Sequence, residues 1–131
     1  MKQEIRALLR ADASLSASAS GGINWGTHPQ SVSVPYIVLT QVSGYRDHTV
    51  EGPAGPRMMM IQADCYGLDQ ATVEAIASRV EAILDGYKTR PFQGIFFIAK
   101  RDLPEAGGDE NEVIHRVSLD FNVVKNHEEQ P

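Results

Sequence analysis

The stretch from Asp69 to Tyr87 constrains the fold more than any other part of the chain. Its large apolar residues recur every three or four positions and therefore form one stripe of an α-helix: Val73, Ile76, Ala77, Val80, Ile83, Leu84 and Tyr87. Asp69 is a favourable N-cap because its carboxylate can accept from the free amides of the first turn. Gly86 suits a left-handed residue that closes the last turn. A helix with one apolar side must lie on another surface, and the rest of the chain predicts a β-sheet.

Segments with β-sheet character make up much of the remaining sequence. Four of them are rich in β-branched and aromatic residues or alternate between apolar and polar positions: Tyr36–Ser43, Arg57–Tyr66, Ile95–Arg101 and Val113–Val124. Ile23–Gly26, with the single tryptophan, suggests a further brief strand, and residues 2–12 suggest a short helix. The order of these segments predicts an α+β fold. We expect a mostly antiparallel sheet of four to five strands, with one long and one short helix packed on one face.

Four segments have the composition of flexible connections: residues 13–22, 44–56, 102–112 and 125–131. The first is low in complexity, the second is rich in glycine and proline, the third is acidic and the last is polar. The sequence shows no internal repeat and no second set of elements, so residues 1–131 are predicted to form a single domain.

The charge and cysteine content narrow the functional classes. A net charge of −5 with scattered basic residues argues against specific nucleic-acid binding, which needs clustered lysines and arginines. Cys65 is the single cysteine and excludes a disulfide within the chain. The sequence offers no apolar signal core and no run of transmembrane length, so we expect a soluble protein that is made in the cytosol and binds no membrane.

No combination of side chains in the sequence predicts catalysis, a cofactor or a metal. The histidines lack metal-ligand spacing from one another and from Cys65: His28, His48, His115 and His127. His115 and Cys65 lie on apolar strand faces, where a packed histidine and an inert thiol are the expected states. The acidic segment 102–112 lacks the spacing of a calcium-binding loop. We therefore predict no enzyme activity.

Four features in order carry a family resemblance. They are the block PYIVLTQVSGYRDHTVEGPAG at residues 35–55, a strand that ends in Asp64-Cys65-Tyr66, a helix that closes in Leu84-Asp85-Gly86-Tyr87, and a strand that contains residues 116–121, RVSLDF. With these features the chain resembles the tail-completion, or tail terminator and head–tail joining, family of long-tailed bacteriophages, prophages and gene transfer agents. The resemblance extends from Ile5 to about Val124, and the block at 35–55 is its most specific part.

The resemblance implies a structural virion protein without catalytic residues. Such a subunit assembles with copies of itself into a ring, with a hexamer expected, in the neck of the particle. Its implied partners are the tail tube protein and the head connector, and its implied place of synthesis is the cytoplasm of the host bacterium. DNA would pass through the ring, and an acidic subunit suits that requirement because it does not hold phosphate.

The loop at residues 44–56 is the predicted contact surface for assembly. Arg46, Asp47, His48 and Glu51 form a mixed set of charges suited to bonds with a neighbouring subunit or with the tube protein, and Arg57 follows at the start of the next strand. An idle surface loop is the alternative. Two other functional classes also stay open at this stage. One is a small α+β enzyme or ligand-binding domain with a pocket between sheet and loop, and the other is a cellular adaptor that pairs its sheet edge with partner strands.

Overall fold

The computed structural model of the protein describes residues 2–26, 34–46, 57–89, 92–103, 105–106 and 113–125. Within these ranges the chain forms three helices and six strands: α1 (Lys2–Ala11), α2 (Ala13–Ser18), β1 (Ile23–Trp25), β2 (Tyr36–Arg46), β3 (Arg57–Gly67), α3 (Gln70–Leu84), β4 (Phe92–Asp102), β5 (Glu105–Ala106) and β6 (Val113–Lys125). The α+β fold is confirmed. None of the helices in these ranges is long and apolar enough to cross a bilayer.

The strands form one sheet in the order β1-β2-β3-β6-β4, and the short strand β5 also pairs with β6. β1 runs parallel to β2, whereas every other pair of neighbouring strands in the described chain is antiparallel. β3 pairs with β6 over its whole length, from Arg57 opposite Lys125 to Gly67 opposite His115. The long, uninterrupted register explains why the alternation of β3 and β6 is so clear in the sequence.

Helix α3 forms as the sequence predicts. The Asp69 carboxylate accepts hydrogen bonds from the Thr72 backbone amide at 3.2 Å and from the Thr72 hydroxyl at 3.0 Å. The helix ends at Leu84, three residues before the predicted end at Tyr87, and Gly86 follows with a φ of +83°. Its buried residues pack on the sheet: Val73, Ile76, Ala77, Val80 and Leu84. The apolar stripe read from the sequence is thus the face that the core covers.

One face of the sheet and the three helices enclose the core. Alternate residues of the strands supply the sheet side, among them Ile37, Leu39, Ile61, Ala63, Cys65, Val117, Leu119, Phe121 and Val123. Ile5 and Leu9 of α1 and Leu15 of α2 join the same cluster, and each is fully buried. Because the core includes residues from all three helices, the N-terminal helices belong to the same folded unit as α3.

The prediction of a flexible connection over residues 13–22 is wrong for Ala13–Ser18, which form α2. Asp12 caps this helix by accepting a hydrogen bond from the Leu15 amide at 2.8 Å. The same carboxylate contacts the guanidinium of Arg79 on α3. A six-residue helix is unstable alone, so the cap, the Arg79 contact and the burial of Leu15 together hold it in place.

Two further connections are shorter than the sequence suggests. Residues Gly44–Arg46, which the sequence places in a loop, continue β2 and pair with β3. Asp102 closes β4, and Glu105–Ala106 form β5, so the acidic segment is not a turn throughout. β4 also begins at Phe92, ahead of the predicted Ile95, and β6 extends to Lys125. Residues 47–56, 107–112 and 126–131 lie outside the described residues.

The N-terminal helix is fastened to β1 by polar contacts. The Arg6 guanidinium donates to the Ile23 carbonyl at 2.7 Å and to the Asn24 side-chain oxygen at 2.9 Å. The Trp25 indole nitrogen donates to the Lys2 carbonyl at 2.9 Å, and the Lys2 ammonium lies 5.2 Å from the centre of the indole ring. These contacts fix α1 across the short edge strand of the sheet.

Candidate interaction surface

The residues predicted to form the assembly contact fall at the end of the β2–β3 pair or beyond it. Arg46 is the last residue of β2 and Arg57 the first of β3, and the two are direct partners in the register. Asp47, His48 and Glu51 lie outside the described residues. The structure thus brings Arg46 and Arg57 together at the base of the loop, and the role of the five residues in assembly stays a prediction.

The face of the sheet that points away from the helices is a candidate interaction surface. We call it the open face. It carries the even-numbered residues of β3 and β6, because the odd-numbered residues point into the core. Within the described ranges, no helix contributes a core residue on this side. A broad sheet face of this kind suits contact with another protein better than it suits the enclosure of a small molecule.

A polar network occupies the centre of the open face. The Gln62 side-chain amide donates to Asp64 at 3.0 Å and to the Ser118 hydroxyl at 2.7 Å. The Arg116 guanidinium contacts the Asp64 carboxylate at 3.3 Å from both Nε and Nη2. Asp64 is only 5% exposed, although no helix of the described chain contributes a core residue on this side of the sheet. The charge at the centre is therefore neutralised within the subunit.

Further pairs continue this arrangement toward both ends of the strands. Arg101 of β4 contacts both carboxylate oxygens of Asp120, at 2.9 and 3.3 Å. Tyr36 and Tyr66 stack with ring centres 4.9 Å apart, and the Arg116 guanidinium lies 5.7 Å from the Tyr66 ring. Aromatic and cation–π contacts of this kind order long side chains before any partner arrives. Pre-ordered side chains lower the entropy cost of binding.

The other end of the open face is apolar. Asn122 of β6 has Met60 of β3 as its register partner on one side and Phe96 of β4 on the other. Met58 is the register partner of Val124. Phe96 is 45% exposed, and its ring lies so close over Gly94 that a Cβ there would come within 2.4 Å of Phe96 Cζ. The methionine run at 58–60 therefore divides: Met59 is buried in the core, whereas Met58 and Met60 are half-buried on the open face.

The cysteine and the histidine of the described chain, Cys65 and His115, both lie in strands of the sheet. Burial raises the pKa of the Cys65 thiol, and the neighbouring Asp64 charge adds to the shift, so the thiol stays protonated and inert. His115 is half-buried on β6, as expected of a packed histidine. Among the described residues, no group of three or more histidine, cysteine, aspartate or glutamate side chains is placed to hold a metal ion.

Sequence reasoning missed the polar network, although one signal for it was present. Arg116, Ser118 and Asp120 alternate with the apolar residues of β6, which shows that the second side of this strand is polar. Asp64 gives no local signal because the guanidinium that it faces belongs to Arg116, 52 residues along the chain. Only the pairing of β3 with β6 brings these residues together.

The sequence of residues 3–125 matches the family described as "Tail completion protein gp17". The chain belongs to this family. The match extends over nearly the whole chain and confirms the family resemblance seen in the sequence. Tail completion proteins are structural components of phage tails, so the protein is a virion protein that contacts other virion proteins.

The fold also occurs in an assembled particle. A chain of the "Virion of native gene transfer agent (GTA) particle" matches with a TM-score of 0.71 and 19% identity, over 92% of this chain and 90% of that one. At this level of identity the likeness shows a shared fold. Among curated proteins, none matches this sequence.

Proposed function

We propose that the protein completes the phage tail as a closed ring of identical copies that caps the tail tube and joins it to the head connector. The family match over residues 3–125 is the observation that carries this proposal. The ring is a hexamer, the number that the sequence resemblance implies. The subunit acts structurally, with no substrate and no cofactor.

The surface chemistry supports a docking role over catalysis. The open face carries charges that are already paired, Asp64 with Arg116 and Asp120 with Arg101. Paired charges limit the desolvation cost when a protein surface covers them. The net charge of −5 suits a ring around DNA, because a basic lining would hold the phosphates and slow their passage.

Size measurement tests the ring directly. Light scattering on the purified protein over a wide concentration range should show a discrete closed oligomer, and electron microscopy of particles that contain the chain should show a ring at the neck. If the protein stays monomeric at high concentration and particles lack a ring of this chain, the proposed function is wrong.

The loop between β2 and β3 serves in assembly rather than in folding. The β2–β3 pairing continues as far as Arg46 opposite Arg57, so the strands meet without help from the residues between them. Deletion of His48–Gly55 with a short glycine bridge should leave the melting temperature nearly unchanged and abolish ring formation or tail attachment. A second variant keeps the loop at full length and changes Asp47, His48 and Glu51 to Ser. It tests the effect of these side chains without any change in the length of the loop.

The outcomes of the loop deletion are distinct. A deleted protein that still assembles and completes tails shows an idle loop. A deleted protein that fails to fold shows that the loop belongs to the core. Neither outcome affects the proposal that the subunit forms a ring, which rests on the family match.

A further inference from the structure

The two outer edges of the sheet are each paired over only part of their length. On β4, the chain's own α3–β4 connection occupies the first part. Gly86 donates its amide to the Ile95 carbonyl at 2.7 Å, Ile95 donates to the Tyr87 carbonyl at 3.0 Å, and Phe97 donates to the Asp85 carboxylate at 2.9 Å. From residue 98 to residue 101, no other part of the described chain pairs with this edge. Among the described residues, this stretch therefore has unpaired strand backbone on its outer side.

The opposite edge has the same character. β1 pairs with β2 only at Ile37–Leu39, and the Gly26 amide closes this pairing on the Leu39 carbonyl at 2.8 Å. From residue 40 to residue 46, β2 pairs with β3 on its inner side, and no strand of the described chain lies along its outer side. The short β1 therefore covers the first part of the edge and leaves the second part open.

Exposed apolar side chains lie in both open stretches or directly beside them. Val42 of β2 is 51% exposed, and Phe96 and Ile98 of β4 are 45% and 44% exposed. They are three of the five large apolar side chains exposed in the described chain. Val42 and Ile98 each lie at a register shift in their strand, which turns these side chains out of the regular alternation.

The charges of β4 do not protect its edge. Proteins often prevent strand addition with exposed lysines on an edge strand. Here the Lys100 ammonium contacts the Glu74 carboxylate at 2.6 Å on α3, and Arg101 is held by Asp120 on the open face. Both cations are bound within their own subunit, so they do not repel an approaching strand.

The directions of the two edge strands fit each other. β2 is antiparallel to β3, β3 to β6, and β6 to β4, so β2 and β4 run in opposite directions. A second copy placed alongside in the same orientation therefore brings its β2 antiparallel to the β4 of the first. The contact uses two different surfaces, and such head-to-tail contacts can close into rings.

We propose that residues 98–101 of one subunit pair with residues 40–46 of the next copy of the same chain and join the sheets edge to edge. Val42 of one copy packs there beside Ile98 and Phe96 of its neighbour. The occupant is a second copy because both open edges belong to one chain, run in compatible directions and carry matching apolar side chains. The inference rests on the proposed ring and adds which strands form its joints.

Cross-linking between two single variants tests this contact. Val42→Cys and Ile98→Cys are prepared separately, and a short bifunctional maleimide is added to each alone and to their mixture. Cys65 is fully buried and does not compete. We expect a cross-linked dimer in the mixture but not in either variant alone, and a ladder of oligomers from the double variant. Cross-linking of Ile98→Cys with itself would show a symmetric β4–β4 contact and overturn the proposal.

A charge substitution tests the same contact without a cross-linking reagent. Ile98→Lys should abolish ring formation and leave the melting temperature close to that of the native protein. Leu68→Lys is the matched control, because Leu68 is also an exposed large apolar residue but lies outside both edges, and it should assemble normally. If native rings form and Ile98→Lys assembles as well as the control, the edge contact is wrong while the proposed function stands. If the native chain forms no ring, the proposed function and this inference are both wrong.

Discussion

The two faces of the sheet are built from the same strands but differ in chemistry. Toward the helices, β3 and β6 present an unbroken set of buried apolar residues. On the open face, the intervening positions carry Asp64, Arg116 and other polar residues that are bonded to each other before any partner arrives. One face is stabilised by burial and the other by pairing. The difference shows how one sheet can supply the core on one side and a broad, internally paired polar surface on the other.

The contrast has an energetic basis. Burial of an apolar side chain contributes about 1.5–3 kcal/mol, whereas an ion pair at a protein surface contributes from about 0 to 1 kcal/mol. Substitutions on the helix-covered face should therefore affect folding, and those on the open face should have smaller effects on folding. The following predictions test this order, from the largest expected effect to the smallest.

Val80→Asp should unfold the subunit. Val80 is completely buried between α3 and the sheet, so a carboxylate there has no water and no partner. An uncompensated buried charge costs about 3–5 kcal/mol, a large part of a typical total stability of about 5–15 kcal/mol. Thermal unfolding followed by circular dichroism measures the effect. Ala75→Asp on the exposed side of the same helix is the control and should melt near the native temperature. A Val80→Asp protein that melts within a few degrees of native would contradict the helix-covered face.

Asp64→Asn should destabilise the subunit by about 2 kcal/mol, because it removes the charge that faces Arg116 and weakens the bond from Gln62. Urea denaturation measures the change in the free energy of unfolding. Asp120→Asn is the matched variant on the same face, and its partner Arg101 is more exposed than Arg116. Its expected cost is below about 1 kcal/mol. If the two variants lower the free energy of unfolding by the same amount, the burial of Asp64 does not strengthen its bonds with Arg116 and Gln62.

Lys100→Gln should cause the smallest change in the free energy of unfolding. It removes the ion pair between Lys100 of β4 and Glu74 of α3. Lys100 lowers the pKa of Glu74, and Glu74 raises the pKa of Lys100. The stabilisation of the fold that comes from ionised Glu74 is fully present above the unfolded pKa of about 4.3. It is lost as pH falls through the lower pKa that Glu74 has in the folded protein. The stabilisation of the fold that comes from charged Lys100 is fully present below the unfolded pKa of about 10.4. It is lost as pH rises through the higher pKa that Lys100 has in the folded protein.

The difference in stability between native protein and Lys100→Gln should therefore be flat near neutral pH and below about 1 kcal/mol. It should shrink toward zero in acid, since protonated Glu74 no longer attracts Lys100. Urea denaturation at several pH values checks this profile. A difference that grows in acid would show that Lys100 acts through another group.

The parts of the fold that the sequence predicts are those whose signals are local. The stripe of α3, its cap at Asp69 and the alternation of β6 each depend on a few consecutive turns or residues. α2 was missed because a run of serine and alanine has no apolar period, and its support comes from Arg79, 67 residues away. The register shifts at Val42 and Ile98 were missed for a similar reason, since a bulge depends on the partner strand.

The candidate surface was predictable to a smaller extent. The sequence directs attention to the loop after β2, and the structure describes only the residues at its base, Arg46 and Arg57. The open face needs the order of the strands, which places β6 between β3 and β4. No spacing in the sequence gives that order, because the residues that meet there are separated by the whole of α3. Composition finds a loop more readily than it finds a surface made by several strands.

The fastening of α1 to β1 gives the protein an optical signal of its own. Trp25 is the single tryptophan in the chain, and its indole is held between the backbone and the ammonium group of Lys2. Indole emission depends on such polar neighbours, so detachment of the first helix changes the fluorescence spectrum even when the central strands stay folded. Fluorescence and circular dichroism can therefore be recorded on one sample during unfolding. Two curves that coincide indicate that the N-terminal helix and the sheet unfold as one cooperative unit.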